Sequence, residues 1–177
     1  MALSGKRVAI LIEDLYQDQE VWYPLYRLRE EGVKVTVVGS GRAKEYKSKF
    51  GYPISEEIRI EDARPNDFDG VVIPGGYAPD WMRRNPAFAQ FVQKMVESKK
   101  PTSAICHGPW ILASAGVLKG RKVTAFFAIK DDLVNAGASY LDQEVVQDGC
   151  LITSRKPDDL PAFMKTFLAA LESSQRK

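Results

Sequence analysis

The stretch Ser103-Ala-Ile-Cys-His-Gly-Pro109 decides the fold. An apolar run ends in it as a strand would, and helical spacing begins at once afterwards, from Trp110 to Ala115. A strand turning sharply into a helix at a glycine-containing corner is the geometry of a nucleophile elbow, which lifts one side chain out of the sheet. Cys106, one of two cysteines, stands at this corner and is followed by His107, the single histidine of the chain. A helix start offers unpaired N–H groups and the positive end of the helix dipole, and both favour an anion. A thiol held there is expected to ionise easily, its pKa falling from about 8.5 into the range of roughly 3.5–7.5. Cys106 therefore reads as a reactive nucleophile. The competing reading is a small buried hydrophobe, since free cysteine is among the most buried residue types.

Outward from this corner, strand and helix patterns alternate. Arg7-Val-Ala-Ile-Leu-Ile12 is a continuous apolar run, as a parallel strand buried on both faces requires, and it ends in two carboxylates, Glu13 and Asp14. Val21, Trp22, Leu25 and Leu28 keep helical spacing between Asp18 and Glu31, with Gly32 as the stop. Lys34 to Val38 is the next strand. Residues 42–66 suggest a short hairpin and an excursion before Asp69-Gly-Val-Val-Ile73 resumes the sheet and ends at Pro74-Gly75-Gly76. Asn85-Pro86 caps and starts a helix through Phe88, Phe91, Val92, Met95 and Val96, and Pro101 to Ile105 feeds the corner. Val123-Thr124 reads as a brief strand and Ile129 to Asn135 as a short helix. Glu144 to Thr153 reads as two strands about an Asp148-Gly149 turn. A closing amphipathic helix begins at Pro157, and Ser173 to Lys177 are expected to fray. The pattern predicts one domain over residues 1–177, a three-layer α/β/α sandwich around a doubly wound, mostly parallel, flavodoxin-like sheet.

Composition narrows the functions. Charged residues make up 27% of 177 and nearly cancel, at +2, which gives no electrostatic argument for nucleic acid or a membrane surface. Two distant cysteines do not form a disulfide framework. No apolar stretch approaches the ~20 residues that cross a bilayer. Met1-Ala-Leu-Ser-Gly-Lys-Arg7 runs straight into a strand without the look of a signal peptide, so a cytoplasmic protein is expected. A single histidine excludes several histidine ligands within one subunit, and no zinc-type spacing is present; neither metal nor cofactor is expected.

In open α/β sheets ligands bind outside the carboxyl ends of the strands. Parallel strands would bring Glu13-Asp14, Pro74-Gly75-Gly76 and Cys106-His107 to that one edge. Gly76 and His107 are candidate oxyanion-hole donors through their N–H groups. Glu13, if partly buried there, would favour its protonated form and could shuttle a proton; a capping or salt-bridging acid is the plainer alternative. Adjacent residues on a helix do not face each other, so His107 need not touch the sulfur. Asp80 is the nearest acid to orient His107, or else an N-cap for a turn through Trp81 and Met82.

Together Val8-Ala-Ile-Leu-Ile-Glu13, Val72-Ile-Pro-Gly-Gly76, Ala104-Ile-Cys-His-Gly-Pro109, Ala115-Gly-Val-Leu-Lys-Gly-Arg121 and Lys130-Asp-Asp-Leu-Val-Asn-Ala-Gly137 resemble the ThiJ/PfpI family, closest to its intracellular protease I branch within the class I glutamine amidotransferase-like superfamily. The oxyanion hole expected from the loops themselves draws on Gly75, Gly76 and His107. The resemblance implies Cys106 as nucleophile, His107 as its histidine and Glu13 as the strand-end glutamate. It further implies a homodimer or larger homo-oligomer in which Asp80 serves a neighbouring subunit; the branch commonly carries glutamate there. The implied activity is a stress-associated cysteine hydrolase of peptides or amides. The alternatives are a glutathione-independent glyoxalase or protein deglycase acting on α-oxoaldehydes, and a redox sensor or chaperone-like protein. The substrate would be a small molecule or a peptide.

Overall fold

The computed structural model describes residues 3–174. Its strands and helices follow in chain order: β1 Arg7–Leu11, α1 Asp18–Glu30, β2 Lys34–Gly39, β3 Glu45–Lys47, β4 Pro53–Ser55, β5 Ile58–Arg59, β6 Gly70–Ile73, α2 Ala78–Met82, α3 Pro86–Glu97, β7 Thr102–Ile105, α4 Pro109–Ser114, β8 Lys122–Val123, α5 Lys130–Asn135, β9 Ser139–Tyr140, β10 Val145–Asp148, β11 Leu151–Ser154 and α6 Leu160–Ser173. Seven strands form the central sheet in the order β10-β11-β7-β6-β1-β2-β5. All neighbours are parallel except the β10–β11 hairpin. From β1 the chain winds outward to β2, then returns to lay β6 on the other side of β1. That reversal is the doubly wound pattern and opens a crevice at the carboxyl ends of β1 and β6.

Helices α1 and α6 pack together on one face and α2 to α5 on the other, giving three layers. Strands β6, β7 and β11 are buried at every position: β6 is wholly apolar, and the hydroxyls of Thr102, Ser103, Thr153 and Ser154 in the other two donate to backbone carbonyls. The core joins Val8 to Leu11 of β1, and Ile12 just after it, with Phe88, Phe91, Phe163 and Phe167 from the two helical layers. Asn85 caps α3 through its side-chain oxygen, which accepts from the Ala87 N–H.

The expected excursion after β2 is a separate β3–β4 hairpin, after which β5 adds to the sheet edge beside β2. Strand β9, which pairs with β8, has only two residues and no pattern that periodicity could reveal. Pro157 opens a 3₁₀ turn over Pro157–Asp159 before α6 begins. Ser174 is held by its hydroxyl bond to the Leu171 carbonyl, whereas residues 175–177 of the stretch expected to fray lie outside the described residues. Met1 and Ala2, from the stretch read for a signal peptide, also lie outside them. Among the described residues no helix is long and apolar enough to cross a membrane.

Candidate active site

Between β7 and α4 the chain turns through Cys106, whose φ of +60° is in the left-handed region. A non-glycine residue there costs on the order of 1–3 kcal/mol and persists only when its surroundings over-determine it. Here the Cys106 N–H donates to the Ser154 carbonyl at 3.0 Å, and the Cys106 carbonyl accepts from the Phe126 N–H at 3.0 Å. Neighbouring strand and loop thus grip the residue from both sides. The loop after β6 lies against it. A Cβ on Gly75 would come within 2.8 Å of the Cys106 Cβ and of the His107 nitrogen, so only glycine allows this approach.

The turn also brings two groups together that helical geometry would keep apart. His107 Nδ1 is 3.2 Å from Cys106 Sγ. The expectation that neighbours do not face each other applies inside a helix, whereas Cys106 sits in a kink before α4 starts. Phe126 stacks on the imidazole at 5.1 Å between centroids, and Trp110 meets it edge-on at 5.1 Å. Trp110 is in turn tethered by its indole N–H to Asp132 at 2.7 Å.

The acid at the sulfur is Glu20, not Glu13. Glu20 lies in the first turn of α1, fully buried, and its Oε2 accepts the Gly75 N–H at 2.7 Å. Its Oε1 is also buried and has no hydrogen-bond partner. Burial pushes its pKa up to about 7, against smaller opposing effects from the Gly75 N–H, Cys106 and Lys49. The carboxyl and the thiol each influence the other's protonation, and among the described residues no donor reaches Oε1 within hydrogen-bonding geometry. Glu13 is buried too, but its Oε1 accepts from Arg42 at 2.8 Å and from the Asp14 N–H at 2.9 Å. It is the salt-bridging acid of the plainer reading. The sequence signal for Glu20 is an acid in register with the apolar stripe of α1, four and eight residues before the buried Pro24 and Leu28.

Electrostatics also reverse the expectation for the thiol. Burial, followed by the charge of Glu20, pushes Cys106 up to about 12, and the N–H groups of Gly76 and His107 offset this only in part. Helix α4 has six residues and no side-chain cap, so its end presents too little field to outweigh desolvation in a nearly dry corner. Burial, then the positive charge of Lys49, lowers His107, keeping the imidazole neutral at pH 7 and able to accept a proton.

The remaining candidates separate. The N–H groups of Gly76 and His107 bear on the sulfur, whereas the Gly75 N–H is already committed to Glu20. Asp80 lies in α2, which Tyr77 caps without a side-chain bond, and its carboxylate is paired with Arg84 in the next turn. Among the described residues no three His, Cys, Asp or Glu side chains are grouped to hold a metal ion.

Fold and corner define a doubly wound α/β protein with a cysteine at a strained strand-to-helix turn beside a buried glutamate. The chain belongs to the DJ-1/PfpI family, whose model matches residues 6–170. It is 46% identical to a deglycase of Thermococcus kodakarensis over 93% of this chain and 99% of that protein. A Bacillus subtilis protein named as a cysteine protease by inference is 40% identical over 95% and 99%. In structure it matches the DJ-1/ThiJ/PfpI-like part of a two-domain protein from Anabaena variabilis with a TM-score of 0.92 and 46% identity, covering 94% of this chain and 50% of that one. These likenesses support an enzyme of the hydrolase or deglycase kind.

Proposed function

We propose that this protein is a cysteine-dependent glyoxalase and deglycase, acting on α-oxoaldehydes and on the adducts they form with amines. The observation that carries this reading is Glu20, a buried carboxyl beside Cys106 with one open oxygen and a pKa near 7. A general acid–base group works best when its pKa lies near the working pH. Peptide hydrolysis can run on the Cys106–His107 pair alone, whereas moving a proton between adjacent carbons requires a further group of this kind.

In this reading the Cys106 thiol adds to the aldehyde carbon. The S–C bond forms, the carbonyl π pair becomes an oxygen lone pair, and the thiol proton passes through His107 Nδ1 to that oxygen. For an amine adduct the sulfur instead displaces nitrogen, which leaves with the thiol proton, and the same hemithioacetal results. Glu20 Oε1 then takes the hemithioacetal C–H proton and returns it to the neighbouring carbon, while the hemithioacetal O–H proton passes to that carbon's carbonyl oxygen. The first carbon becomes the thioester carbonyl and the second bears the hydroxyl. One carbon is oxidised and its neighbour reduced, so no outside oxidant is needed. Water cleaves the resulting thioester, releasing a 2-hydroxy acid and the free thiol.

The test is turnover of methylglyoxal and of methylglyoxal-treated N-acetyl-lysine, with product identified by mass. Glu20→Gln keeps an acceptor for the Gly75 N–H and should lower turnover by about 10²–10⁴. Cys106→Ala should abolish it and Asp80→Ala should leave it unchanged. Full activity in Glu20→Gln would sink the proposal. A peptidase reading keeps one observation in its favour, the Cys106–His107 contact. It needs Asp80 to leave Arg84 and reach His107 of a second copy in a homo-oligomer. Peptide cleavage lost with Asp80→Ala, together with sedimentation as a dimer or larger species, would select it instead.

A further inference from the structure

The β3–β4 hairpin packs beside the site and carries a cation. Tyr16, in the loop after β1, bridges the hairpin at Ser48 on one side and the glycine loop at Gly76 on the other. The Lys49 N–H donates to the Tyr16 carbonyl at 3.0 Å, and the Leu15 N–H donates to the Lys47 carbonyl at 2.7 Å. The hairpin tip is tied to itself: Ser48 Oγ accepts the N–H groups of Phe50 and Tyr52 and donates to Asp18 at 2.6 Å. The backbone of Lys49 is therefore fixed while its side chain is exposed. Among the described residues the ammonium forms no ion pair, and it lies over the Phe50 ring at 5.0 Å from the centroid. Its charge is nevertheless felt at both Glu20 and His107.

A cation without an ion pair, carried on a backbone anchored to Tyr16 beside the glycine loop, has spare capacity for one anionic group. We propose that Lys49 is the anion-recognising residue of this site, selecting substrates that carry a carboxylate close to the electrophilic carbon. For an amine adduct this favours adducts of free α-amino acids, whose carboxylate lies two bonds from the departing nitrogen, over adducts of amides. The inference rests on Cys106 as the reacting atom and deepens the glyoxalase and deglycase reading.

Two alkylating reagents of the same size, anionic iodoacetate and neutral iodoacetamide, test it without need of turnover. In each, sulfur forms the S–CH₂ bond as iodide leaves with its electron pair and the thiol proton passes to solvent. The quantity is the ratio of the two rates at Cys106, followed by mass, in the wild type, Lys49→Met and Lys49→Arg. At low salt the wild-type ratio should exceed that of Lys49→Met by about three- to tenfold, and 1 M salt should remove most of the difference. Lys49→Arg should restore the preference, which a general loosening of the hairpin would not. Equal ratios in wild type and Lys49→Met overturn the inference, and so does failure of both reagents to reach Cys106. A Lys49-dependent ratio in a protein that leaves methylglyoxal untouched sustains the anion site and removes the proposed reaction.

Discussion

At the scale of residues, Cys106, His107 and Glu20 form a site in which burial holds the proton on both the acid and the thiol. Each pKa is raised first by burial, and the charge of Glu20 adds to the effect on the thiol. Reactivity therefore comes from transferring the proton to neutral His107 during attack, not from a standing thiolate. Alkylation of Cys106 by iodoacetamide should keep accelerating with pH beyond about pH 9, and a plateau near neutrality would contradict the assignment. Glu20 also makes stability depend on pH. A carboxyl whose folded pKa lies above its unfolded value favours folding below the unfolded pKa, and that contribution is lost as pH rises to the folded one. The wild type should therefore lose stability between about pH 4.5 and 7. Glu20→Gln lacks this loss, and its advantage in urea unfolding should grow across the same window to at most about 3 kcal/mol.

At the scale of elements, the corner depends on the close approach of two loops. Gly75→Ala would drive a methyl to 2.8 Å from the Cys106 Cβ, from Glu20 Oε2 and from the His107 nitrogen, none of which is the loose end of a flexible chain. We expect a loss of roughly 1–3 kcal/mol in thermal unfolding and a larger loss at the site, since the Gly75 N–H also anchors Glu20. An unchanged unfolding temperature would mean that the loops separate freely. Elements were legible where one local rule governs them. Asn85-Pro86 announced the start of α3, and Asp148-Gly149 the turn between β10 and β11. Strand β9 escaped because two residues carry no period, and its identity depends wholly on β8 alongside.

At the scale of the whole molecule, the three layers are locked by aromatic side chains that the sheet alone cannot cover. Phe163 and Phe167 of α6 are both fully buried. Phe163→Ala should cost about 3–5 kcal/mol in denaturant unfolding, far more than any surface change. A loss below 1 kcal/mol would mean that the layer collapses to refill the space.

What the sequence determined by itself was the succession of strands and helices and the corner at Cys106. Hydrophobic period, cap residues and glycine positions act over a few neighbours, so they can be read along the chain. Tertiary structure alone decided which acid meets the thiol and whether that thiol is ionised. Glu13 and Glu20 both follow the first strand closely, but only the crossing of α1 over the glycine loop brings Glu20 to the sulfur and leaves Glu13 to Arg42. The pKa of Cys106 is set by the water excluded around it and by a charge 86 positions away in sequence, from Glu20 to Cys106. No short-range pattern encodes either quantity, because both exist only once distant segments have packed.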